Sequence, residues 1–297
     1  MTKKELKNFL AAQVDDFQFN EKLLLNNNSR FRQHVIRILG DRLGQQPAVS
    51  NPGIDWHTTA GVLMLFGQNP ASVESGEEPC LVLNKRSLKV RQPGDLCFPG
   101  GSMSPRIDPY LARIFSLPIA SLGRWRYWNQ RKKYDCGQAK TMSIVWATGL
   151  RESFEEMRLN PFGVEYLGPL PPQSLVMFKR TIYPMVGWIK RQKRFFPNWE
   201  VESVLHVSLK DLLSPNRYGR YRLRMVGASG QAGSAPVQEF PCFRIQTKNR
   251  TEILWGATYR ITVDFLKYVF DFTPPDIESL PVVDGELDES YISGNSG

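Results

Sequence analysis

Apolar segments with strand character recur along this chain on both sides of one long helical pattern. The predicted strands are 59–66, 80–84, 164–167, 181–189, 204–207 and 240–245, and the clearer helical patterns are 29–43, 139–159 and 253–270. A polar stretch separates the first two strands, which is typical of a hairpin. Strands combined with a few well-placed helices predict an α/β or α+β sandwich.

Charge is distributed unevenly along the chain. Residues 273–297 contain six acidic residues and no Lys or Arg, so the net charge of +9 rises to +15 when these residues are left out. A body with this charge attracts phosphorylated metabolites, nucleic acid or a lipid surface. The acidic segment itself, which carries Pro and Gly, is predicted to be disordered.

Neither a membrane span nor a secreted, disulfide-linked fold is indicated. No apolar run approaches the roughly 18–20 residues that a span requires, and the start MTKKELKNFL has no apolar signal core. Cysteines are isolated at Cys80, Cys97, Cys136 and Cys242, and no histidine stands at zinc spacing. We therefore expect free thiols and a cytoplasmic protein.

One segment of the long helix carries a concentration of acidic residues. At about 100° per residue, one face collects Ala147, Leu150, Phe154 and Met157, and the opposite face collects Glu152, Glu155 and Glu156. Carboxylates that are this close together favour a hard divalent cation such as Mg²⁺. Arg151 precedes Glu155 by four residues and is expected to orient it. An acidic face opposite an apolar stripe is also typical of any solvated helix.

A tight turn precedes this helix in the sequence. The segment FPGG at 98–101 ends in the pair Gly100 and Gly101. Paired glycines let the backbone come close to a phosphate or a metal ion.

Together, these residues resemble the Nudix box, G-x5-E-x7-R-E-U-x-E-E-x-G-U, in which U is an apolar or small residue. Gly101 corresponds to its first glycine and RESFEEMRL at 151–159 to its end. The upstream segments VLNKRS at 82–87, Arg91 and PGDLCFPGG at 93–101 resemble the coenzyme A pyrophosphatase branch of this superfamily. Later similarities are NWEV at 198–201, Leu209 and WGAT at 255–258, so the resemblance covers roughly residues 58–270.

This resemblance implies an α/β/α sandwich with a mixed sheet and a hydrolase that uses Mg²⁺ or Mn²⁺. The implied substrate is coenzyme A or acyl-coenzyme A, and the products are 3′-phospho-AMP and (acyl-)phosphopantetheine. The implied metal ligands are Glu152, Glu155, Glu156 and the carbonyl of Gly100 or Gly101. Glu152 or Glu200 is implied as the base, and Arg151 as an orienting residue. Substrate contacts are implied for Arg86, Ser87, Arg91, Gly94, Gly100 and Gly101.

The sequence departs from the box in three places. An insertion of about 36 residues, at about 104–138, separates the turn from the helix. Ser143 replaces the first glutamate of the box, and Arg158 replaces the glycine that ends the helix in a left-handed conformation. The expected domains are a helical segment at 1–50, a hydrolase domain at 51–272 and the tail at 273–297.

Several alternatives remain open at this stage. The chain could act on another nucleoside diphosphate derivative, such as ADP-ribose. It could also be a catalytically weak module that binds nucleic acid or membrane through residues 113–140, where Trp and Tyr alternate with basic residues. The insertion could cover the site as a lid or pack on the domain. A homodimer is compatible with the sequence.

Overall fold

The computed structural model describes residues 24–43, 55–68, 78–175, 179–225, 237–247, 250–287 and 291. Within them the helices are α1 (Asn28–Leu43), α2 (Asp108–Phe115), α3 (Trp128–Tyr134), α4 (Cys136–Met157), α5 (Leu209–Leu212) and α6 (Gly256–Phe270). The strands are β1 (Thr59–Gln68), β2 (Pro79–Arg86), β3 (Leu96–Cys97), β4 (Gly100–Ser102), β5 (Val164–Pro169), β6 (Gln173–Leu175), β7 (Arg180–Ile189), β8 (Val201–Ser208), β9 (Tyr218–Met225), β10 (Val237–Gln246), β11 (Thr251–Leu254) and β12 (Val282–Leu287).

The larger sheet is mixed. Its main order is β3-β2-β1-β7-β5, in which β1 and β7 run parallel and the other neighbours run antiparallel. Strand β4 pairs with β1, β6 with β7 and β8 with β2. The predicted α+β class with a mixed sheet is therefore confirmed, as is the antiparallel pairing of the first two strands.

Helices cover both faces of this sheet. On β1, Leu63 and Leu65 pack in the core beneath α4, whereas Met64 and Phe66 pack in the core that contains α1 and α6. Successive strand residues point to opposite faces, so one buried strand serves both cores. A Cβ at Gly61 would lie 2.6 Å from the carbonyl oxygen of Val145. This glycine therefore lets α4 approach the sheet closely, and the layering is α/β/α.

Helix α1 belongs to the main core. Phe31, Val35 and Leu39 are buried, and the rings of Phe31 and Phe66 are 5.2 Å apart. Its first turn is capped by Asn27, whose side chain accepts the N–H of Arg30 at 3.0 Å. Residues 1–23 and 44–50 of the predicted helical segment at 1–50 lie outside the described residues.

The insertion packs on α4 through large apolar side chains. Phe115, Trp125 and Trp128 are buried in the same cluster as Trp146 of α4. Other apolar residues of the insertion are exposed, namely Ile107, Tyr110, Ile114, Leu117 and Ile119. The insertion is therefore a helical layer of the domain, and part of its apolar side chains stays exposed.

A second sheet follows in the order β11-β10-β9-β12, and β12 runs parallel to β9. The predicted disorder of residues 273–297 is wrong for residues 273–287 and for Tyr291, which is buried. The acidic composition suggested disorder, but Val283, Gly285 and Leu287 alternate with exposed acids along β12. That period of two is typical of a strand with one covered face.

The cysteines agree with the prediction of free thiols. Cys80 and Cys242 are buried, Cys97 is partly buried and Cys136 is exposed, and none forms a disulfide. Among the described residues, no helix has the length and apolarity needed to span a bilayer.

Candidate active site

The buried stripe of α4 sets the direction of its acidic face. Leu150, Ser153 and Met157 are buried, whereas Phe154 is 44% exposed. The predicted position of Phe154 on the apolar face is therefore wrong, because Ser153 occupies that place and donates a hydrogen bond to the carbonyl of Gly149. The helix ends at Arg158 in the left-handed conformation (φ 56°, ψ 37°) that the box glycine normally adopts.

The Gly-Gly turn lies directly against the carboxylates of this helix. Gly100 has φ of 145°, and a Cβ there would lie 2.3 Å from the carbonyl oxygen of Gly61. A Cβ at Gly101 would lie 2.6 Å from the carboxyl carbon of Glu152. The backbone N–H of Gly100 donates to the carboxylate of Glu156. Gly100 thus lets the turn lie close against β1, and Gly101 lets it lie close against α4.

Two carboxylates at this contact have raised pKa values. Burial raises the pKa of Glu156 to about 8, and repulsion from Glu152 and Glu200 adds to the effect. Burial also raises the pKa of Glu152, against the opposing attraction of Arg151. A raised pKa at a cleft is typical of functional carboxyl groups, because a substrate or cation supplies the missing compensation.

Arg151 is held from two sides. Its Nε donates to Asp108 Oδ1 at 2.7 Å, and its Nη1 donates to Glu152 Oε1 at 2.9 Å. Asp108 begins α2 in the insertion, its side chain is fully buried, and it also accepts bonds from Ser104 N–H and Thr148 Oγ1. Asp108 is not recognisable as a site residue from the sequence, because nothing in a linear pattern links it to an arginine 43 residues later.

Glu155 does not join the other two carboxylates. Its side chain is 52% exposed and lies 3.3 Å from Arg151, the i,i+4 contact that the spacing predicts. It is not among the residues that line the cleft described next. In this side-chain arrangement, Glu152 and Glu156 form the inner pair, and Glu155 stands outside it.

A cleft of about 480 Å³ opens at this pair. Glu200 and Trp199, which precede β8, contribute to its wall, as do Gly100 and Gly101. Its basic lining residues are Arg86, Lys89, Arg91 and Arg180. Lys89 and Arg180 were not singled out from the sequence; Lys89 lies inside the upstream signature, whereas nothing local marks Arg180.

Two predicted substrate contacts shape the neighbouring loop instead of lining the cleft. Ser87 donates its N–H to the carbonyl of Glu200 at 2.8 Å, and its Oγ accepts the N–H of Lys89. Gly94 has φ of 78° and donates its N–H to the carbonyl of Arg86. The loop from 87 to 95 is closed by these bonds and presents Arg91 to the cleft.

The donor set fits a hard divalent cation. Besides Glu152 and Glu156, the site contains Asn84, whose Nδ2 donates to Glu156 at 2.9 Å and whose buried Oδ1 has no hydrogen-bond donor among the described residues. Carboxylate and amide oxygens are the ligands that Mg²⁺ and Mn²⁺ prefer. Within the described part of the chain, no three His, Cys, Asp or Glu side chains converge tightly enough to enclose an ion by themselves. Water and substrate oxygens would complete the coordination.

The insertion does not cover this cleft. All residues from 104 to 138 are described, and none of them lines it. The lid interpretation is therefore wrong for this arrangement, because the insertion packs on α4 through Phe115, Trp125 and Trp128 and does not reach the cleft.

Known proteins with similar sequences are Nudix hydrolases. An uncharacterized Nudix hydrolase NudL of Pectobacterium atrosepticum is 30% identical over 143 residues, which are 47% of this chain and 55% of that protein. A protein of the same description from an Enterobacter species is 28% identical over 145 residues, 48% of this chain and 56% of its own. The chain thus spans about half the length of these relatives. A solved Nudix hydrolase of Nitrosomonas europaea aligns over 78% of this chain and 79% of its own at 11% identity, with a TM-score of 0.35. No family model matches.

Proposed function

We propose that the chain acts as a Nudix hydrolase that cleaves the pyrophosphate bond of a nucleoside diphosphate derivative with a bound divalent cation. The resemblance to the Nudix superfamily is confirmed by the two curated relatives. One observation carries the proposed activity: Glu152 and Glu156 lie against the Gly100–Gly101 turn in a cleft that four basic side chains also line.

Glu152, Glu156 and the backbone of Gly101 would hold Mg²⁺ or Mn²⁺. When bound, the cation lowers the pKa of a coordinated water and neutralises charge on the pyrophosphate oxygens. Glu155 would take part only after its side chain leaves Arg151, 3.3 Å away. Arg151, fixed by Asp108, holds the carboxylate of Glu152 in a defined orientation.

Glu200 is the group that we propose takes the proton from the attacking water. It lines the cleft and lies close enough to Glu156 to raise the pKa of that residue. Glu152 is the second candidate, but its Oε1 already accepts a hydrogen bond from Arg151 at 2.9 Å. A hydrogen bond from a cation stabilises the charged carboxylate and so lowers its affinity for a proton.

For the substrate, we infer coenzyme A or an acyl-coenzyme A. Arg86, Lys89, Arg91 and Arg180 supply four positive charges for the pyrophosphate and for a further phosphate such as the 3′-phosphate. The segment 82–101, which resembles the coenzyme A pyrophosphatase branch, contributes three of them. A cytoplasmic location and a homodimer both remain predictions, which cell fractionation and light scattering would test.

The test is hydrolysis of coenzyme A and of ADP-ribose by the purified chain with Mg²⁺, with products identified by mass spectrometry. We expect 3′-phospho-AMP and 4′-phosphopantetheine from coenzyme A. Glu165→Gln is the matched control for changes in the cleft, because Glu165 pairs with Arg32 at 2.6 Å in another part of the fold. Hydrolysis of ADP-ribose alone would move the assignment to the rival substrate, and no hydrolysis of either would overturn the proposal.

A further inference from the structure

A second, larger cavity of about 670 Å³ lies between the two sheets and the start of α6. Val62 of β1 and Ile182 of β7 line it from the larger sheet. Leu223 of β9 and Phe240 of β10 line it from the smaller sheet, and Ala257 lines it from the first turn of α6. We call this space the apolar cavity. Its size and mostly apolar lining are those of a small-molecule site.

The apolar cavity adjoins the cleft. Arg86 and Cys97 line both spaces, so the basic cleft and the apolar cavity share this part of their walls. Arg86 is tied into that wall, because its N–H donates to the carbonyl of Asp95 at 2.9 Å and its Nε to the carbonyl of Arg91 at 2.7 Å. A molecule that carries phosphates in one part and an apolar group in another matches these two neighbouring surfaces.

Fixed polar contacts hold the rim of the cavity. The carboxylate of Asp95 accepts a bond from Trp255 Nε1 at 3.1 Å and another from the hydroxyl of Tyr291. Trp255 in turn packs against the rings of Tyr221 and Phe240, at 5.5 and 5.4 Å between centroids. The rim is therefore built from three parts of the chain and is not a chance gap between loops.

We propose that the apolar cavity binds the acyl chain of a thioester substrate whose pyrophosphate occupies the cleft. This inference rests on the proposed function for the position of the phosphates. It adds the place on the protein where the acyl chain binds. Each methylene that leaves water strengthens binding by a factor of about four. Affinity should therefore rise with chain length until the cavity is filled.

The experiment measures binding by calorimetry in EDTA, where a metal-dependent reaction does not consume the ligand. The probes are hexanoyl- and decanoyl-coenzyme A, which differ by four methylenes, and the quantity of interest is the ratio of their dissociation constants. For the unmodified chain we expect decanoyl-coenzyme A to bind at least about tenfold more tightly. Ala257→Phe, which places a ring in the cavity, should reduce this ratio to about threefold or less.

A second variant covers the case in which Ala257→Phe does not fold. Ser174→Phe changes an exposed residue on the cavity wall, and Ser279→Phe is the matched control at an exposed serine outside it. Ser174→Phe should reduce the ratio and Ser279→Phe should preserve it. A ratio near one in the unmodified chain, or a large ratio that persists in every cavity variant that folds, would overturn the inference.

The two proposals can fail separately. Chain-length-dependent binding without hydrolysis of any thioester would support the cavity and contradict the proposed function. Hydrolysis with no dependence of binding on chain length would support the proposed function and contradict the cavity.

Discussion

At the scale of single residues, Asp108 links the insertion to α4, the helix that carries the carboxylates of the cleft. Its side chain is fully buried and accepts bonds from Ser104, Thr148 and Arg151. A buried carboxylate is stable only when it is paired in this way. Arg151 then has one orientation, in which it reaches Glu152. Under the proposed function, Asp108 is therefore a positioning residue that acts through Arg151.

We predict that Asp108→Asn lowers kcat about 10- to 100-fold, the range expected when the partner of a ligand-orienting group is lost. KM should change little, because no basic side chain of the cleft is touched. Asp135→Asn is the control: Asp135 also lies in the insertion, but its side chain caps α4 by accepting the N–H of Gln138. Equal effects of the two substitutions on kcat would reduce Asp108 to a purely structural role.

The arginine of the upstream loop tests the choice of substrate. Arg91 is exposed and lines the cleft. If it binds the 3′-phosphate, Arg91→Ala should raise KM for coenzyme A more than for 3′-dephospho-coenzyme A, by about 1–3 kcal/mol in binding free energy. Arg194→Ala, at an exposed arginine outside the cleft, is the control. Equal increases for both substrates would place Arg91 on the pyrophosphate or in a structural role.

At the scale of elements, the insertion stabilises the helix that carries the carboxylates. Helices α2 and α3 pack on α4, and Trp125 and Trp128 are each 4% exposed in that cluster. Replacing residues 106–136 by a short linker would remove these side chains together with Asp108. We therefore expect that replacement to unfold the domain, and single substitutions are the better test.

Trp128→Ala should lower the free energy of unfolding by about 3–5 kcal/mol, because it leaves a cavity under α3. Tyr134 at the end of the same helix is 76% exposed, and Tyr134→Ala should change stability by no more than about 0.5 kcal/mol. Urea denaturation of both variants measures the difference. Near-equal values would mean that the insertion is not part of the cooperative fold.

At the scale of the whole molecule, one buried contact joins three distant parts of the chain. Asp95 ends the loop that presents Arg91, Trp255 precedes α6, and Tyr291 follows β12. Burial raises the pKa of Asp95, and the hydrogen bonds from Tyr291 and Trp255 oppose that rise. The stability associated with this carboxyl group is therefore present at low pH and is lost as pH rises through its folded-state pKa.

Tyr291→Phe removes one of the opposing hydrogen bonds and should raise the pKa of Asp95 further. We predict a loss of about 1–3 kcal/mol in the free energy of unfolding near neutral pH, because a charged carboxylate then has one hydrogen-bond donor fewer. The loss should be smaller near pH 4, because the raised pKa favours the protonated form of this group in the folded state as pH falls. Urea unfolding at the two pH values, with Tyr134→Phe as control, measures it. A loss of the same size at both pH values would contradict this role of the hydrogen bond between Tyr291 and Asp95.

Local periodicity predicted the elements that lie within one stretch of sequence. The β1–β2 hairpin, α4 and most strands of the larger sheet were found because their apolar residues recur at intervals of two or of three to four. Strands β9 and β12 were missed, since β9 contains three arginines (Arg220, Arg222 and Arg224) and β12 lies in an acidic segment. Their pairing with each other across the sheet depends on contacts that a linear pattern does not contain.

The candidate site was predictable to a similar degree. Spacing alone indicated that Glu152 and Glu156 share a helix face and that Arg151 meets Glu155. Spacing could not show that Asp108 fixes Arg151 or that Arg180 reaches the cleft, because both depend on how distant elements pack. It also could not show that Ser153, and not Phe154, faces the core, because one residue of rotation decides this.

The proposed metal-dependent site at the cleft is tested by the metal dependence of coenzyme A hydrolysis in Glu156→Gln. Glu155→Gln and Glu165→Gln are measured beside it. With Mg²⁺ we predict a loss of at least about 100-fold for Glu156→Gln, the scale of losing a principal electrostatic group. The loss should be smaller for the half-exposed Glu155→Gln and absent for Glu165→Gln. The unmodified chain should be inactive in EDTA and should recover when Mg²⁺ is added. Full activity of Glu156→Gln in the presence of EDTA would contradict a metal-dependent site at this cleft.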